Sequence, residues 1–230
     1  IGGLGEKAIA GVGLANQYYF LLNLLLFGIV SGSSIFTAQY WGSKDIASIR
    51  KVLGICIMTG GAGAALFTLG AIFFPAEILG IFSKDRDVII LANNYMRVIL
   101  FSYVITAVSF AYSFSLRSIG EVKTPLAVSV IALGTNTILN YLLIYGMLGF
   151  PEMGVAGAAL ATLIARIVEL ALLLLAVYSR NTPLAASISE LFTLPVEFLK
   201  QFFKVTLPVI LNESMWGLGM TLCAIAYARM

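Results

Sequence analysis

Long apolar runs alternate with short polar connections along almost the whole chain. Each run approaches or exceeds the ~20 residues that an α-helix needs to cross ~30 Å of hydrocarbon. We therefore predict six membrane-spanning helices in an all-α, polytopic membrane helix bundle. Their approximate bounds are Val12 to Tyr40, Val52 to Phe74, Leu91 to Leu116, Pro125 to Leu148, Val155 to Tyr178 and Phe203 to Ala228.

The composition supports a membrane protein and narrows its chemistry. Hydrophobic residues make up 60% of the chain and charged residues 11%, against roughly half and a quarter in soluble domains. Histidine is absent, which excludes histidine metal sites and proton relays. Cys56 and Cys223 lie in apolar runs without CxxC spacing, so we expect neither a disulfide framework nor a metal site. No acid–base or nucleophile–base constellation is evident in the sequence, so we predict no enzyme and no cofactor.

Basic residues are distributed unevenly between the two predicted faces of the membrane. Eight lysines and arginines lie in connections one–two, three–four and five–six, and four lie on the opposite side. The first set is Lys44, Arg50, Lys51, Arg117, Lys123, Arg180, Lys200 and Lys204, and the second is Lys7, Lys84, Arg86 and Arg229. The positive-inside rule makes the first side cytoplasmic, in a multi-pass protein of the inner (plasma) membrane. The net charge of +3 thus reflects topology, and we expect no nucleic-acid partner.

The segment 180–202 differs from the apolar runs around it. It contains two prolines, is too polar to span a bilayer and becomes amphipathic towards its end. We predict a cytoplasmic amphipathic linker here, of the kind that joins two halves of a transporter.

Pro208 falls inside the next helical pattern, where we expect a kink or a freed carbonyl. The outside position of the amino terminus suggests an excerpt of a longer protein with a preceding helix.

A few polar residues interrupt the predicted spans. Asn136 and Asn140 share one helical face. They either form hydrogen bonds that hold two helices together or belong to a functional site. Arg166 and Glu169 are three residues apart, so we expect them to neutralise each other. Glu213 lies deep in the sixth span, either as a proton- or cation-titrating carboxylate or as a neutral acid that caps backbone freed by the nearby proline.

Aromatic side chains near the helix ends are candidates for a substrate cavity. Tyrosine and tryptophan rings hold organic cations over their faces, and they also anchor helices at the membrane interface. The residues that we predict for such a cavity are Tyr141, Tyr145, Asn212 and Trp216. Elsewhere, Gly28 and Gly32 have the spacing that permits close approach of another helix.

Five stretches resemble the multidrug and toxic compound extrusion (MATE) family, in family order and over nearly the whole chain. They are 25-LLFGIVSGSSIFTAQYWGSKD-45, 116-LRSIGEVKTPL-126, 136-NTILNYLLIYG-146, 149-GFPEMGVAGAALAT-162 and 207-LPVILNESMW-216. The resemblance implies a twelve-helix exporter with two six-helix lobes, of which helices two to seven are seen. Residues 1–179 would then form most of the N-terminal lobe with five spans, and 203–230 the first helix of the C-terminal lobe. The missing helices of the same chain would complete the transporter.

The resemblance also implies a function. MATE proteins exchange Na⁺ or H⁺ for cationic, amphipathic compounds, so the expected partners are a small cationic substrate and the lipid bilayer. A first-lobe cation site of the family maps onto Asn136, Asn140 and Thr162, and Glu213 lies near the coupling acid of the seventh helix. Asn140 replaces an acidic residue, which weakens charge compensation for Na⁺, and the first-helix acid lies before Ile1. The alternatives are a lipid-linked oligosaccharide flippase of the same superfamily, and a channel or structural membrane subunit.

Overall fold

A computed structural model describes residues 2–193 and 195–229. Residues 1, 194 and 230, which belong to the predicted lobe, linker and final helix, lie outside this part of the chain. The described residues form nine α-helices, two short 3₁₀ turns and no β-strand, so the all-α prediction is confirmed. The helices are α1 Glu6–Gly42, α2 Ile46–Phe73, α3 Pro75–Phe82, α4 Arg86–Ile99, α5 Ser102–Ser118, α6 Lys123–Tyr145, α7 Gly154–Ser179, α8 Ile188–Phe192 and α9 Val196–Arg229.

Four of the described helices, α1, α2, α6 and α7, are long and apolar enough to cross a membrane. The count rises to five if the bent pair α4 and α5 forms one span. The sixth predicted span is helical as part of α9, but it does not meet the same criterion. Asn212 and Glu213 interrupt the apolar run of this helix. We predicted six spans, and four to five of the described helices qualify as spans by length and composition.

The third predicted span is broken in its middle. α4 and α5 meet at an angle of 55° across Leu100 and Phe101, where the sequence has no proline. The Ser102 hydroxyl donates to the Ile99 carbonyl at 2.6 Å, and the Thr68 hydroxyl of α2 donates to the Leu100 carbonyl at 3.4 Å. The Ser102 hydroxyl thus gives the Ile99 carbonyl a donor at the break, while the Leu100 carbonyl also accepts from the Tyr103 amide at 3.2 Å.

Helix α1 lies at the centre of the bundle. It packs along α9, the longest of its neighbouring helices. α1 packs against α2, α4, α5 and α9. A Cβ atom at Gly28 would lie 2.8 Å from the Cα of Ile210, and one at Gly32 would lie 2.6 Å from Thr206. The two glycines therefore permit the close helix approach that their spacing predicts. α9 continues through Pro208 without ending.

The predicted linker contains a short helix and is docked on α2. Helix α9 begins at Val196, so the amphipathic end of the linker is continuous with the last helix. Arg50 of α2 donates from Nη1 to Glu190 of α8 at 2.5 Å and from Nε to the Pro183 carbonyl at 3.1 Å. A side chain at Gly54 would overlap the carbonyl of Leu191, so glycine allows α8 to lie directly on the backbone of α2.

Candidate functional site

Helices α6 and α7 face each other with two polar stripes in otherwise apolar sequence. On each helix the polar residues recur at intervals of three, four or seven positions, which places them on one face. We call these residues the α6–α7 polar seam. They are Ser129, Asn136 and Asn140 on α6, and Thr162, Arg166 and Glu169 on α7.

The connection between the two helices fixes the register of the seam. α6 ends at Tyr145, and the next residue, Gly146, adopts the left-handed conformation (φ 65°, ψ 34°) common after a helix C-terminus. The Met153 amide then donates to the Leu143 carbonyl at 2.9 Å and closes the loop. A Cβ atom at Gly157 would lie 2.5 Å from the same carbonyl oxygen, so glycine permits the tight approach of α7.

One half of the seam is a chain of amide and hydroxyl hydrogen bonds. Asn140 Nδ2 donates to Asn136 Oδ1 at 2.9 Å, and Asn136 Nδ2 donates to Thr162 Oγ1 at 3.2 Å. The Thr162 hydroxyl donates in turn to the Ala158 carbonyl at 3.0 Å. The structure therefore brings together the three residues that the family resemblance suggested as a cation site. The Oδ1 atom of Asn140 is buried without a partner among the described residues, which leaves one acceptor open.

The other half of the seam is an ion pair. Arg166 Nη1 donates to Glu169 Oε2 at 2.7 Å, so the pairing predicted from their spacing is confirmed. The Ser129 hydroxyl lies 3.4 Å from Glu169 Oε1. Sequence reasoning missed Ser129, although its position seven residues before Asn136 places it on the same face of α6.

The two halves of the seam share one cavity between α6 and α7. Its volume is about 290 Å³, and its lining includes both members of the ion pair and two of the three hydrogen-bonding residues. The full lining is Ser129, Ala132, Leu133, Asn136, Thr162, Ala165, Arg166 and Glu169. Oxygen ligands and a carboxylate around one space are suited to a small hard cation or a proton.

Glu213 lies in a second region, on α9. Together with Asn212 and Trp216 it lines an open depression of about 500 Å³ against Leu24 and Phe27 of α1. No residue lines both this depression and the seam cavity. Whether Glu213 is a titrating carboxylate or a neutral capping acid stays a prediction. A carboxylate beside an exposed indole matches the chemistry that attracts organic cations.

The two tyrosines predicted for the cavity lie elsewhere on α6. The rings of Tyr141 and Tyr145 are 6.0 Å apart and both are exposed. Neither tyrosine is among the residues that line the seam cavity or the depression beside Glu213. The structure thus groups Asn212 and Trp216 with Glu213 and separates the tyrosines from them. A role for the tyrosines as interfacial anchors stays a prediction.

The fold and these sites define an α-helical integral membrane protein in which polar residues line a cavity between two apolar helices. The family model MatE matches residues 1–142, and the chain belongs to this family. "Probable multidrug resistance protein YoeA" of Bacillus subtilis is 31% identical over 91% of the chain and 46% of the relative. The resemblance found in the sequence motifs is therefore confirmed.

Solved structures show the same fold. The inward-facing conformation of a multidrug resistance MATE family transporter of the MOP superfamily matches with a TM-score of 0.80 and 26% identity. That match covers 95% of this chain and 49% of the solved one. An outward-facing conformation matches with a TM-score of 0.79 and 25% identity, over 95% and 48%. The chain thus spans about half the length of the proteins that it matches.

Proposed function

We propose that this chain is most of the N-terminal lobe of a secondary antiporter that exports cationic, amphipathic compounds from the cell. Residues 1–179 form the lobe, 180–202 the cytoplasmic linker and 203–230 the first helix of a second lobe. Export across the plasma membrane is driven by inward movement of Na⁺ or H⁺. The family membership supports this assignment, as does the name of the relative YoeA, which refers to multidrug resistance.

The observation that carries the proposal is the polar seam inside the membrane bundle. Charged residues at membrane depth are costly, and they mark ion pathways or proton relays more often than they serve packing alone. Here an ion pair and an amide–hydroxyl cluster line one cavity, while Glu213 lines a separate depression. This separation suits an exchanger with a coupling ion in the first lobe and an organic cation beside the second.

The mechanism that we propose is alternating access. Two lobes rock about a central space, and ion binding at an intramembrane carboxylate favours the state that releases substrate outside. Each charge that moves across 100 mV supplies ~2.3 kcal/mol, to which the ion gradient adds. The nearly equal TM-scores of the inward- and outward-facing structures, 0.80 and 0.79, are expected if each lobe moves with its internal packing intact.

The flippase alternative would need a cationic cavity to hold a lipid-linked phosphate. Arg166 is the cation in the lining of the seam cavity, and Glu169 already neutralises it. This pairing favours the antiporter over the flippase. A channel would show flux that does not depend on an ion gradient. A structural subunit would show no flux.

The test uses the complete transporter in proteoliposomes. Efflux of a fluorescent organic cation is followed while a Na⁺ gradient and a pH gradient are imposed separately. Acceleration by one gradient would support the antiporter and identify its ion. Indifference to both would contradict the proposal and favour the flippase or the channel.

A pair of variants then examines Glu213. We expect Glu213→Gln to abolish gradient-driven efflux in a protein that still folds, because the amide cannot bind a proton or balance a cation. The matched control is Glu197→Gln, at the exposed start of the same helix, which should leave efflux unchanged. Undiminished gradient-driven efflux in Glu213→Gln would remove this carboxylate from the mechanism.

A further inference from the structure

The seam ion pair is not packed as a purely structural pair would be. Its two side chains retain 32% (Arg166) and 11% (Glu169) of their exposure, and both line the cavity of about 290 Å³. A carboxylate has roughly four acceptor positions. Glu169 uses one for Arg166 and a second, at 3.4 Å, for Ser129. It therefore has free acceptor capacity directed at an open space.

Glu169 supplies the negative charge of the cavity lining. Asn140, where the family pattern has an acid, is an amide that takes up no proton. Among the residues that line the cavity, Glu169 is the one carboxylate and Arg166 the one cation. Thr162 and Asn136 lie along the same wall. The negative charge that a coupling cation requires in this lobe is thus available from α7.

The neighbours of Arg166 on other helices do not replace Glu169 as its counter-ion. The groups that face it are the phenols of Tyr19 on α1 and Tyr95 on α4, together with the hydroxyl and amide groups of α6. No second carboxylate of the described residues pairs with this guanidinium. Because the arginine side chain is long and adjoins an empty volume, it can turn away from Glu169 without unpacking a helix.

We infer that Glu169 is the cation-binding carboxylate of this lobe and that Arg166 is a tethered cation that competes for it. A small monovalent cation, either Na⁺ or a proton, enters the cavity and displaces the guanidinium. Na⁺ takes the carboxylate with the hydroxyl oxygen of Ser129 beside it. A proton binds a carboxylate oxygen of Glu169, and the Arg166 hydrogen bond breaks.

Displacement changes the charge of the cavity lining and its contents from zero to +1. The ion-free and ion-bound lobes then differ in electrostatic energy, which is the difference that an ion needs in order to bias one conformation over another. The coupling role rests on the proposed antiporter function. The binding site itself does not, so the two claims are tested separately.

The experiment measures ion binding to the complete transporter in detergent by its melting temperature, because a ligand that binds the folded state raises that temperature. Na⁺ is titrated at fixed pH against choline, and pH is then varied without Na⁺. We expect one of these two series to raise the melting temperature of the wild type, which names the ion. Glu169→Gln should abolish that rise, and Arg166→Lys, which keeps the tethered charge, should retain it.

Removal of the competitor gives the sharper result. If Na⁺ is the ion, Arg166→Gln should lower the Na⁺ concentration for half-maximal stabilisation about tenfold or more, since a neighbouring cation no longer opposes binding. If the proton is the ion, the stabilisation should occur at higher pH in this variant. An unchanged Na⁺ concentration and an unchanged pH would overturn the role of Arg166.

Two further variants control for the loss of a charge and for the loss of an Arg–Glu pair elsewhere. The neutral double variant Arg166→Gln/Glu169→Gln avoids an isolated charge, and it should show no ion-dependent stabilisation. Glu190→Gln, which breaks the Arg–Glu pair at the cytoplasmic face, should respond to ions like the wild type. Wild-type ion dependence in Glu169→Gln or in the double variant would overturn the proposal. If efflux follows neither gradient while Glu169→Gln still loses binding, the antiporter function fails and the site stands.

Discussion

Two Arg–Glu pairs in this chain have the same chemistry, but their carboxylates have different surroundings. Arg50 and Glu190 join α2 to α8, with side-chain exposures of 25% and 44%. Arg166 and Glu169 lie within α7, with exposures of 32% and 11%, and they line an intramembrane cavity. Water screens Glu190, which limits the contribution of the first pair to stability, whereas Glu169 bears more of the cost of leaving water. Depth alone, however, does not separate a structural pair from a functional one.

The carboxylates differ in how completely they are bonded. Glu190 accepts from the Ser187 amide at 2.7 Å, from the Ser187 hydroxyl at 3.0 Å and from Arg50. It completes a capping box and is fixed in place. Glu169 has Arg166 and one long contact. The comparison teaches that Glu190 has three donors and holds α8 on α2 as a latch, whereas Glu169 has two donors and lines a cavity with room for another ligand.

The largest expected difference is in the free energy of unfolding when one partner of each Arg–Glu pair is removed. Removal of one partner of a buried pair leaves an uncompensated charge, so Glu169→Gln should lower the free energy of unfolding by up to about 3–5 kcal/mol. The double variant Arg166→Gln/Glu169→Gln should recover most of that loss. Unfolding in detergent micelles measures both. Glu190→Gln should change the melting curve by little more than its error, and equal losses at the two sites would contradict the comparison.

The second effect concerns the latch and its glycine. Gly54→Leu places a side chain where the Leu191 carbonyl lies, so α8 must shift or undock. We expect a loss of about 1–3 kcal/mol, typical of overpacking, and faster proteolysis of the linker 180–195. Gly61→Ala in the same helix is the control, because a Cβ atom there meets nothing within 4 Å. A linker equally protected in both variants would show that the close approach at Gly54 is not required.

The third effect separates the two asparagines of the seam. Asn136→Ala removes two hydrogen bonds and leaves Thr162 and Asn140 short of partners, at a cost of about 1–2 kcal/mol. Asn140→Ala removes one bond but also a buried oxygen that has no described partner. Its cost should be smaller. Chemical denaturation of the two variants ranks them, and a larger loss in Asn140→Ala would contradict the hydrogen-bond order described here.

The smallest effect is the pH dependence of the latch. The Ser187 amide and hydroxyl, and then Arg50, lower the pKa of Glu190 from its ordinary value of 4.5. A lowered folded-state pKa contributes stability that is present above pH 4.5 and is lost as the pH falls through the folded value. The hydrogen-exchange protection of residues 187–192, corrected for the intrinsic exchange rate at each pH, should therefore fall as the pH drops below 4.5. Glu190→Gln should remove this dependence, and an unchanged pH profile in the variant would assign it to another group.

The sequence predicted the features that depend on local spacing. Run lengths identified α1, α2, α6 and α7 as spans, and the three-residue interval predicted the Arg166–Glu169 pair. The convergence of Asn136, Asn140 and Thr162 followed from the family resemblance, because it requires two helices to meet in one register. Roles for these residues, and for Glu213, stay predictions.

Features that depend on tertiary contacts were not predictable in the same way. The bend between α4 and α5 has no proline, and Thr68 of α2 contacts the Leu100 carbonyl there at 3.4 Å from a distant part of the chain. The docking of α8 relies on Gly54, which the sequence marks only as a small residue in a helix. The shared cavity arises because Ser129 faces Glu169 across the hairpin. A sequence pattern gives the face of each helix but not the space between two helices.

The most direct test of the account compares the two pairs in transport. Gradient-driven efflux of a fluorescent cation is measured in proteoliposomes for the complete transporter and for Glu169→Gln and Glu190→Gln, with and without the driving ion gradient. The account predicts that Glu169→Gln loses the acceleration by the gradient while Glu190→Gln keeps it. Equal acceleration in the two variants would contradict the claim that the membrane pair is the exchangeable cation site.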